Sequence, residues 1–271
     1  MIPLRDNIPY RSFPVVNYSL IAACTVAFLV QLADQTDGRD EIVEAWGMIP
    51  ARVFHPEEPI HVEEQVVVRT SFGPERRIRE RTYAEPPFSP WLTLLTCVFL
   101  HGSWMHFLGN MWFLHIFGDN VEDRFGHLGY LLFYLGGGVA ASVSHLLSAP
   151  GSDAPTIGAS GAIACVMGAY MLLYPHAKVL AILPIFIFVQ MFVVPAPLFL
   201  GFWFLLQLFE GTFTESSGAG VAWWAHIGGF AVGFVVAWLL EKTGAVTPPV
   251  EVVLPNTERM SHYRYRRGGD Y

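Results

Sequence analysis

Charge is what this chain has least of. Asp, Glu, Lys and Arg make up 14% of its 271 residues, against 53% hydrophobic residues. Mean hydropathy is +0.41. That balance excludes an ordinary soluble domain of this length. Cysteine is also scarce. Cys24, Cys97 and Cys165 lie in or beside apolar segments, which excludes a disulfide framework and offers no metal-ligand spacing. The chain has no His-Glu-x-x-His motif and no internal repeat. The net charge of −7 comes largely from one hydrophilic loop, so it gives no reason to expect a nucleic-acid partner.

The charges that exist are segregated, and the gaps between them carry the first positive inference. Residues 15–33 and 221–240 contain no charged side chain, and each run is long enough to cross a bilayer core of about 30 Å. The first exceeds a signal-peptide h-region and is followed by more such runs, so it reads as a span. Apolar runs and their polar breaks predict spans at 15–34, 103–119, 127–147, 159–174, 196–210 and 221–240. The expected architecture is an all-α membrane bundle of six transmembrane helices with an extended first outer loop, 35–90. Residues 1–14 form a cytoplasmic N-terminal segment, 15–242 the six-span domain, and 243–271 a flexible cytoplasmic tail. Arg5, Arg11, Arg124, Lys178, Lys242, Arg259, Arg264, Arg266 and Arg267 fall on the cytoplasmic side of this arrangement. The outer connections 148–157 and 211–220 hold no Lys or Arg. Both termini are therefore placed in the cytoplasm.

Two segments need separate treatment. The 31 residues of 179–209 are too many for one upright helix and too few for two with a turn, and Pro184, Pro195 and Pro197 interrupt them. Residues 179–194 are expected to be non-spanning or re-entrant, leaving 196–210 as the span. The loop 35–90 holds seven arginines and eleven acids, and reads as a solvated ornament. Within it, 60–70 and 75–83 flank Ser71-Phe72-Gly73-Pro74, a hairpin-turn pattern.

Polar residues inside the spans carry the functional argument. Gly158-Ala159-Ser160-Gly161 opens the fourth span and presents an unhindered hydroxyl among unpaired backbone N–H groups. Ser160 lies fifteen residues before Pro175, His226 fifteen before Glu241, and His106 fourteen before Asn120. At 1.5 Å per residue, all three sit about 22 Å from the inner surface, with Asn110 one turn deeper than His106. Four polar groups from three helices thus share one depth. The fourth helix is short, so its start lies inside the membrane, and its free N–H groups imply a water-containing cavity open to the outside.

Each residue has a bland alternative. Small residues such as Gly161 and Gly168 usually serve packing, and Gly229 and Gly233 allow close approach of the sixth helix to another, with the fourth as the expected neighbour. An ionisable His226 within a span is functional by default. His106 and Asn110 are four apart and share a face; Asn is a good oxyanion donor. His101 lies near the outer boundary, where it supports the adjoining loop. His106 and His115 are on nearly opposite faces, which argues against a metal site. Asp119 is at the far end, so a Ser-His dyad is expected rather than a triad.

These residues resemble the rhomboid family of intramembrane serine proteases, of the bacterial type. The match runs through His101-Gly102-Ser103-Trp104-Met105-His106-Phe107-Leu108-Gly109-Asn110, then Gly158-Ala159-Ser160-Gly161, then Ala225-His226-Ile227-Gly228-Gly229. The motifs are modest singly and highly specific together and in this order. The resemblance implies Ser160 as nucleophile, His226 as base, and Asn110 and His106 as oxyanion-stabilising residues. It implies transmembrane proteins as substrates, the lipid bilayer as surroundings, and no metal or organic cofactor. It also implies that the fifth helix and the loop 211–222 act as gate and cap. The resemblance and the lack of an organelle-targeting segment point to a prokaryotic plasma membrane. Two departures stand out. The aromatic residue that many members place one turn after the serine is Ala164 here, so Trp223, Trp224 or another ring must brace His226. Trp91 is followed by Leu92 rather than Arg. The competing readings are a catalytically inactive rhomboid-like protein that binds transmembrane clients, and a small transporter with proton-relaying histidines. No particular oligomeric state is implied.

Overall fold

Helices dominate wherever the sequence is apolar, and short strands fill the ends. The computed structural model describes residues 2–34, 40–70, 73–185, 188–213 and 222–248. In chain order these form β1 (Ile2–Asp6), α1 (Val15–Asp34), α2 (Glu41–Trp46), α3 (Pro50–Phe54), and the strands β2 (His61–Thr70) and β3 (Gly73–Thr82). Single helical turns follow, with α4 (Thr93–Thr96) between two 3-10 turns, Pro90–Leu92 and Cys97–Phe99. Then come α5 (Trp104–Ser148), α6 (Ser160–Leu173), β4 (Lys178–Ile185), β5 (Phe188–Pro195), α7 (Ala196–Phe213) and α8 (Trp223–Lys242). Three helices, α1, α5 and α8, are long and apolar enough to cross a membrane; α6 and the 196–209 part of α7 are shorter apolar helices.

The two spans expected at 103–119 and 127–147 form the two limbs of α5, broken at Gly126, whose φ of 70° and ψ of 162° are non-helical. A side chain at that φ would be strained, so glycine is what permits the reversal. Residues 120–125 were expected in a connection, yet they stay helical, and the side chains of Glu122 and Arg124 make buried contacts. The Glu122 carboxylate accepts the N–H groups of Val16 and Asn17 at 2.9 and 2.7 Å, closing the free N-terminus of α1. Arg124 donates to the Leu173 carbonyl at the end of α6 (3.2 Å) and to Glu241 at the end of α8 (3.0 Å). One helical turn therefore fastens three other helices at the end of the bundle opposite Ser160.

Helix α6 is the axis of the bundle. Residues 161–170 are all buried, and small residues let α8 lie against it. A Cβ on Gly229 would overlap the Gly161 carbonyl, one on Gly233 the Cys165 carbonyl, and one on Gly168 the Phe230 carbonyl. Backbones this close gain packing that no larger residue allows. The expected close approach of the sixth span to the fourth is what these glycines provide.

In the segment 179–194, expected to be non-spanning or re-entrant, the described residues form paired strands rather than a helix, and residues 186–187 lie outside the described residues. β4 and β5 pair antiparallel from Lys178↔Pro195 to Ile185↔Phe188. β1 adds to β4, giving the order β1-β4-β5. Valine, isoleucine and phenylalanine dominate the segment, which favours strand over helix once proline has broken the run. The N-terminal strand is fixed further by Trp112 Nε1 donating to the Pro3 carbonyl at 2.6 Å and by Asn120 Nδ2 donating to Asp6 at 2.8 Å. Tyr170 also donates its hydroxyl proton to the Asp6 carboxylate.

The 35–90 loop is only half an ornament. β2 and β3 pair over their full length, from His61↔Thr82 to Thr70↔Gly73, as the turn pattern requires, and β3 is largely exposed. Ser71 and Phe72 of that turn lie outside the described residues. The preceding α2–α3 stretch is packed into the protein, with Met48, Ile49 and Val53 0%, 1% and 2% exposed. Met48 exchanges backbone hydrogen bonds with Thr156 at 3.0 and 2.7 Å, tying the loop to the connection that leads into Ser160. Of the proposed tail, residues 249–271 lie outside the described residues.

Candidate active site

Ser160 is the first residue of α6, and the chain reaches it through a constrained turn. Gly158 has φ 128°, and its N–H donates to the Cys97 carbonyl at 2.9 Å. A Cβ there would lie 2.7 Å from His106 Cε1 and Nε2, closer than real side-chain contacts come. Glycine is needed at 158 both for the backbone angle and for the room that the His106 ring occupies. The N-terminal residue of α6 has no side-chain cap, since Ala159 precedes it. The first-turn N–H groups, which have no intrahelical acceptor in any helix, lie at the serine end without such a cap.

His226 is in the first turn of α8, and its Nε2 is 2.7 Å from Ser160 Oγ. The residues are 66 positions apart, so the contact is made by the α6–α8 packing described above. The other ring nitrogen, Nδ1, lies 2.5 Å from Gln207 Oε1 on α7. His226 and Gln207 are 7% and 8% exposed. Two tryptophans flank the imidazole: Trp203 on α7, with centroids 5.8 Å apart, and Trp223, edge-on at 6.1 Å. The question raised by Ala164 thus has a structural answer, since rings from α7 and from the start of α8 stand beside the histidine. Trp224 does not take part through its ring contacts among the described residues; its carbonyl accepts the Ser144 hydroxyl at 2.9 Å.

His106 and Asn110 enter from α5. Ser103 caps this helix by accepting the His106 N–H at 3.2 Å, which fixes the start of the turn. The His106 ring covers Gly158 and lies 5.2 Å, centroid to centroid, from His101. Asn110 follows one turn later on the same face, buried, and its Nδ2 has no hydrogen-bond partner among the described residues. A buried amide donor without a partner costs stability unless something else uses it.

The other polar residues sit elsewhere. His101 is 1% exposed; its N–H donates to Gln31 Oε1 at 3.0 Å and its carbonyl accepts from Gln31 Nε2 at 3.3 Å, linking α1 to the α5 entry. His115 pairs with the Tyr18 hydroxyl at 3.4 Å. Asp119 accepts the Asn120 N–H at 2.7 Å, among the groups around Asp6. Of the gate and cap, α7 is described to Phe213, and residues 214–221 lie outside the described residues.

Gln207 was missed by sequence reasoning. The signal was available: a lone amide in the otherwise uncharged apolar run 196–209, the same anomaly that marked Asn110. Its spacing of nineteen residues from His226 gave no helical-face argument, because the two lie on different helices.

A multi-pass helical membrane protein with a serine and a histidine hydrogen-bonded between two helix starts is the class that this fold and site define. The model of the rhomboid domain matches residues 89–243, more than half of the chain, and the chain belongs to the rhomboid family. It is 30% identical over 168 residues to rhomboid-like protein 11, chloroplastic, of Arabidopsis thaliana, covering 57% of this chain and 54% of that protein. It is 27% identical over 160 residues to rhomboid protein 1, mitochondrial, of Saccharomyces cerevisiae, covering 56% and 42%. To presenilin-associated rhomboid-like protein A, mitochondrial, of Danio rerio, identity is 34% over 100 residues, 36% and 26% of the two chains. The chain spans about half the length, or less, of these relatives.

Proposed function

We propose that this protein is an intramembrane serine endopeptidase that hydrolyses peptide bonds in or next to transmembrane segments of membrane proteins. The observation that carries the reading is the 2.7 Å contact between Ser160 Oγ and His226 Nε2, within the distance needed for direct proton transfer. Ser160 is the nucleophile and His226 the general base. As Oγ bonds to the substrate carbonyl carbon, its proton passes to Nε2, and the carbonyl π pair moves onto oxygen. That oxyanion is met by the Ser160 backbone N–H and by the Asn110 amide, with His106 beside them. Collapse breaks the C–N bond, His226 protonates the departing amine, and the acyl-enzyme remains. Water, deprotonated by His226, attacks the ester and releases Ser160.

The Nδ2 of Asn110, without a partner among the described residues, supports its assignment as an oxyanion donor. The free N–H groups at the start of α6 support the same site. The six-span domain 15–242 lies in the bilayer with both termini on the cytoplasmic side of the cell's inner, or plasma, membrane, supported by the distribution of Lys and Arg. The relatives' names place those proteins in chloroplasts and mitochondria.

Purified protein incubated with a model transmembrane substrate tests the function. Wild type is expected to cut, and Ser160→Ala and His226→Ala are not. Absence of cutting by a folded wild type favours an inactive, client-binding protein. Equal cutting by Ser160→Ala would falsify the serine mechanism.

A further inference from the structure

We propose that Gln207 is a positioning residue that selects the working tautomer of His226, so that α7 must be in place for the base to function. This rests on the protease reading above, but extends it to a residue and a helix which that reading does not need. An imidazole that accepts the Ser160 proton on Nε2 must, while neutral, carry its own proton on Nδ1. Gln207 Oε1, 2.5 Å from Nδ1, is the acceptor for that N–H. The opposite tautomer would turn Nε2 into a donor toward Ser160 and disable the base. The amide oxygen therefore does for this histidine what a carboxylate does in a triad. It does so without placing a charge in a membrane helix, where charge is costly.

The surroundings favour one orientation. Both partners are buried, so an Nδ1–H without Gln207 loses its acceptor with no solvent to replace it. Trp203, one turn before Gln207, lies on the same face of α7 and stands beside the same imidazole. The outer surface of α7 is apolar, with Leu198, Phe202 and Leu205 all more than half exposed. Helix α7 thus holds the base through one ring and one amide. A displacement of about 1 Å takes the Nδ1–Oε1 pair beyond hydrogen-bonding distance.

Gln207→Met and Gln207→Glu separate positioning from packing. With the model transmembrane substrate, Gln207→Met is expected to lower kcat about 10- to 100-fold with KM nearly unchanged, the size of a general-base contribution lost in part. Gln207→Glu keeps an acceptor and restores most of kcat. The other polar groups near His226, namely His106 and His145 on α5 and Ser160 on α6, are the same in all three proteins. Wild-type kcat in Gln207→Met would overturn the proposal. So would equal loss in both variants with equally lowered unfolding temperatures. Nitrogen-15 NMR of labelled histidine reads the tautomer independently of cleavage. The Nδ1–H form of His226 is expected in wild type and a mixture in Gln207→Met. An Nε2–H form in wild type would overturn the proposal, whereas a correct tautomer in a protein that does not cut would count against the protease reading alone.

Discussion

Replacing Gly233 by alanine adds one methyl group two helical turns from His226, and it is expected to disable the site from there. The new Cβ would overlap the Cys165 carbonyl oxygen and lie 2.6 Å from the carbonyl carbon and 2.8 Å from Cα. Ordinary contact begins at 3.4 Å, so α8 must retreat from α6 by more than 1 Å, and backbone atoms of a buried helix cannot turn aside as a side chain can. His226 rides on α8 and Ser160 on α6. A rigid retreat lengthens their 2.7 Å contact to about 3.5 Å or more, past useful hydrogen bonding. A misplacement of about 1 Å at the reacting groups costs on the order of 100-fold in rate, while the added methylene costs about 1–3 kcal/mol of stability. The assay is cleavage of a transmembrane substrate at a temperature where the variant's unfolding curve shows it folded. A folded Gly233→Ala that cuts within twofold of wild type would refute the claim that α6–α8 proximity sets the catalytic distance.

Asn110→Ala is expected to lower kcat by about 100-fold, near 3 kcal/mol of transition-state stabilisation, with little change in KM; steady-state kinetics on the same substrate reads both. Asp6 gives a pH signature. Burial, offset in part by hydrogen bonds from Tyr170 and from backbone, pushes its carboxyl up from 3.8 to about 7. Between those values the folded protein holds a proton that the unfolded chain has lost, so stability falls as pH rises through this window. The ceiling of the effect is about 4 kcal/mol, and Asp6→Asn is expected to flatten it; thermal unfolding at pH 4.5 and 7.5 checks the slope.

The bundle was legible because a membrane span needs a long uncharged run, and such runs can be counted. The site was legible because depth follows from helical rise: residues 160, 226 and 106 could be levelled without knowing how the helices pack. Elements outside the apolar runs were read less well. The helical course of 120–125 depends on Glu122 and Arg124 finding the ends of α1, α6 and α8, contacts with no local sequence signal. The burial of Met48 and Ile49 depends on a bridge to Thr156, more than 100 residues away. Proline marked 179–194 as unlike a continuous helix, but the strand pairing with β1 joins residues nearly 180 positions apart. Gln207 stood out as a lone amide in an apolar run, but its role depends on a partner on another helix, which no local pattern names.

The central claim is that Ser160 is a nucleophile activated by His226. Labelling the purified protein with a fluorophosphonate, then locating the adduct by peptide mass spectrometry, tests it most directly. The expected result is a single adduct on Ser160, lost in His226→Ala although the serine remains. Absence of any adduct on a folded wild type, or undiminished labelling of Ser160 in His226→Ala, would contradict it.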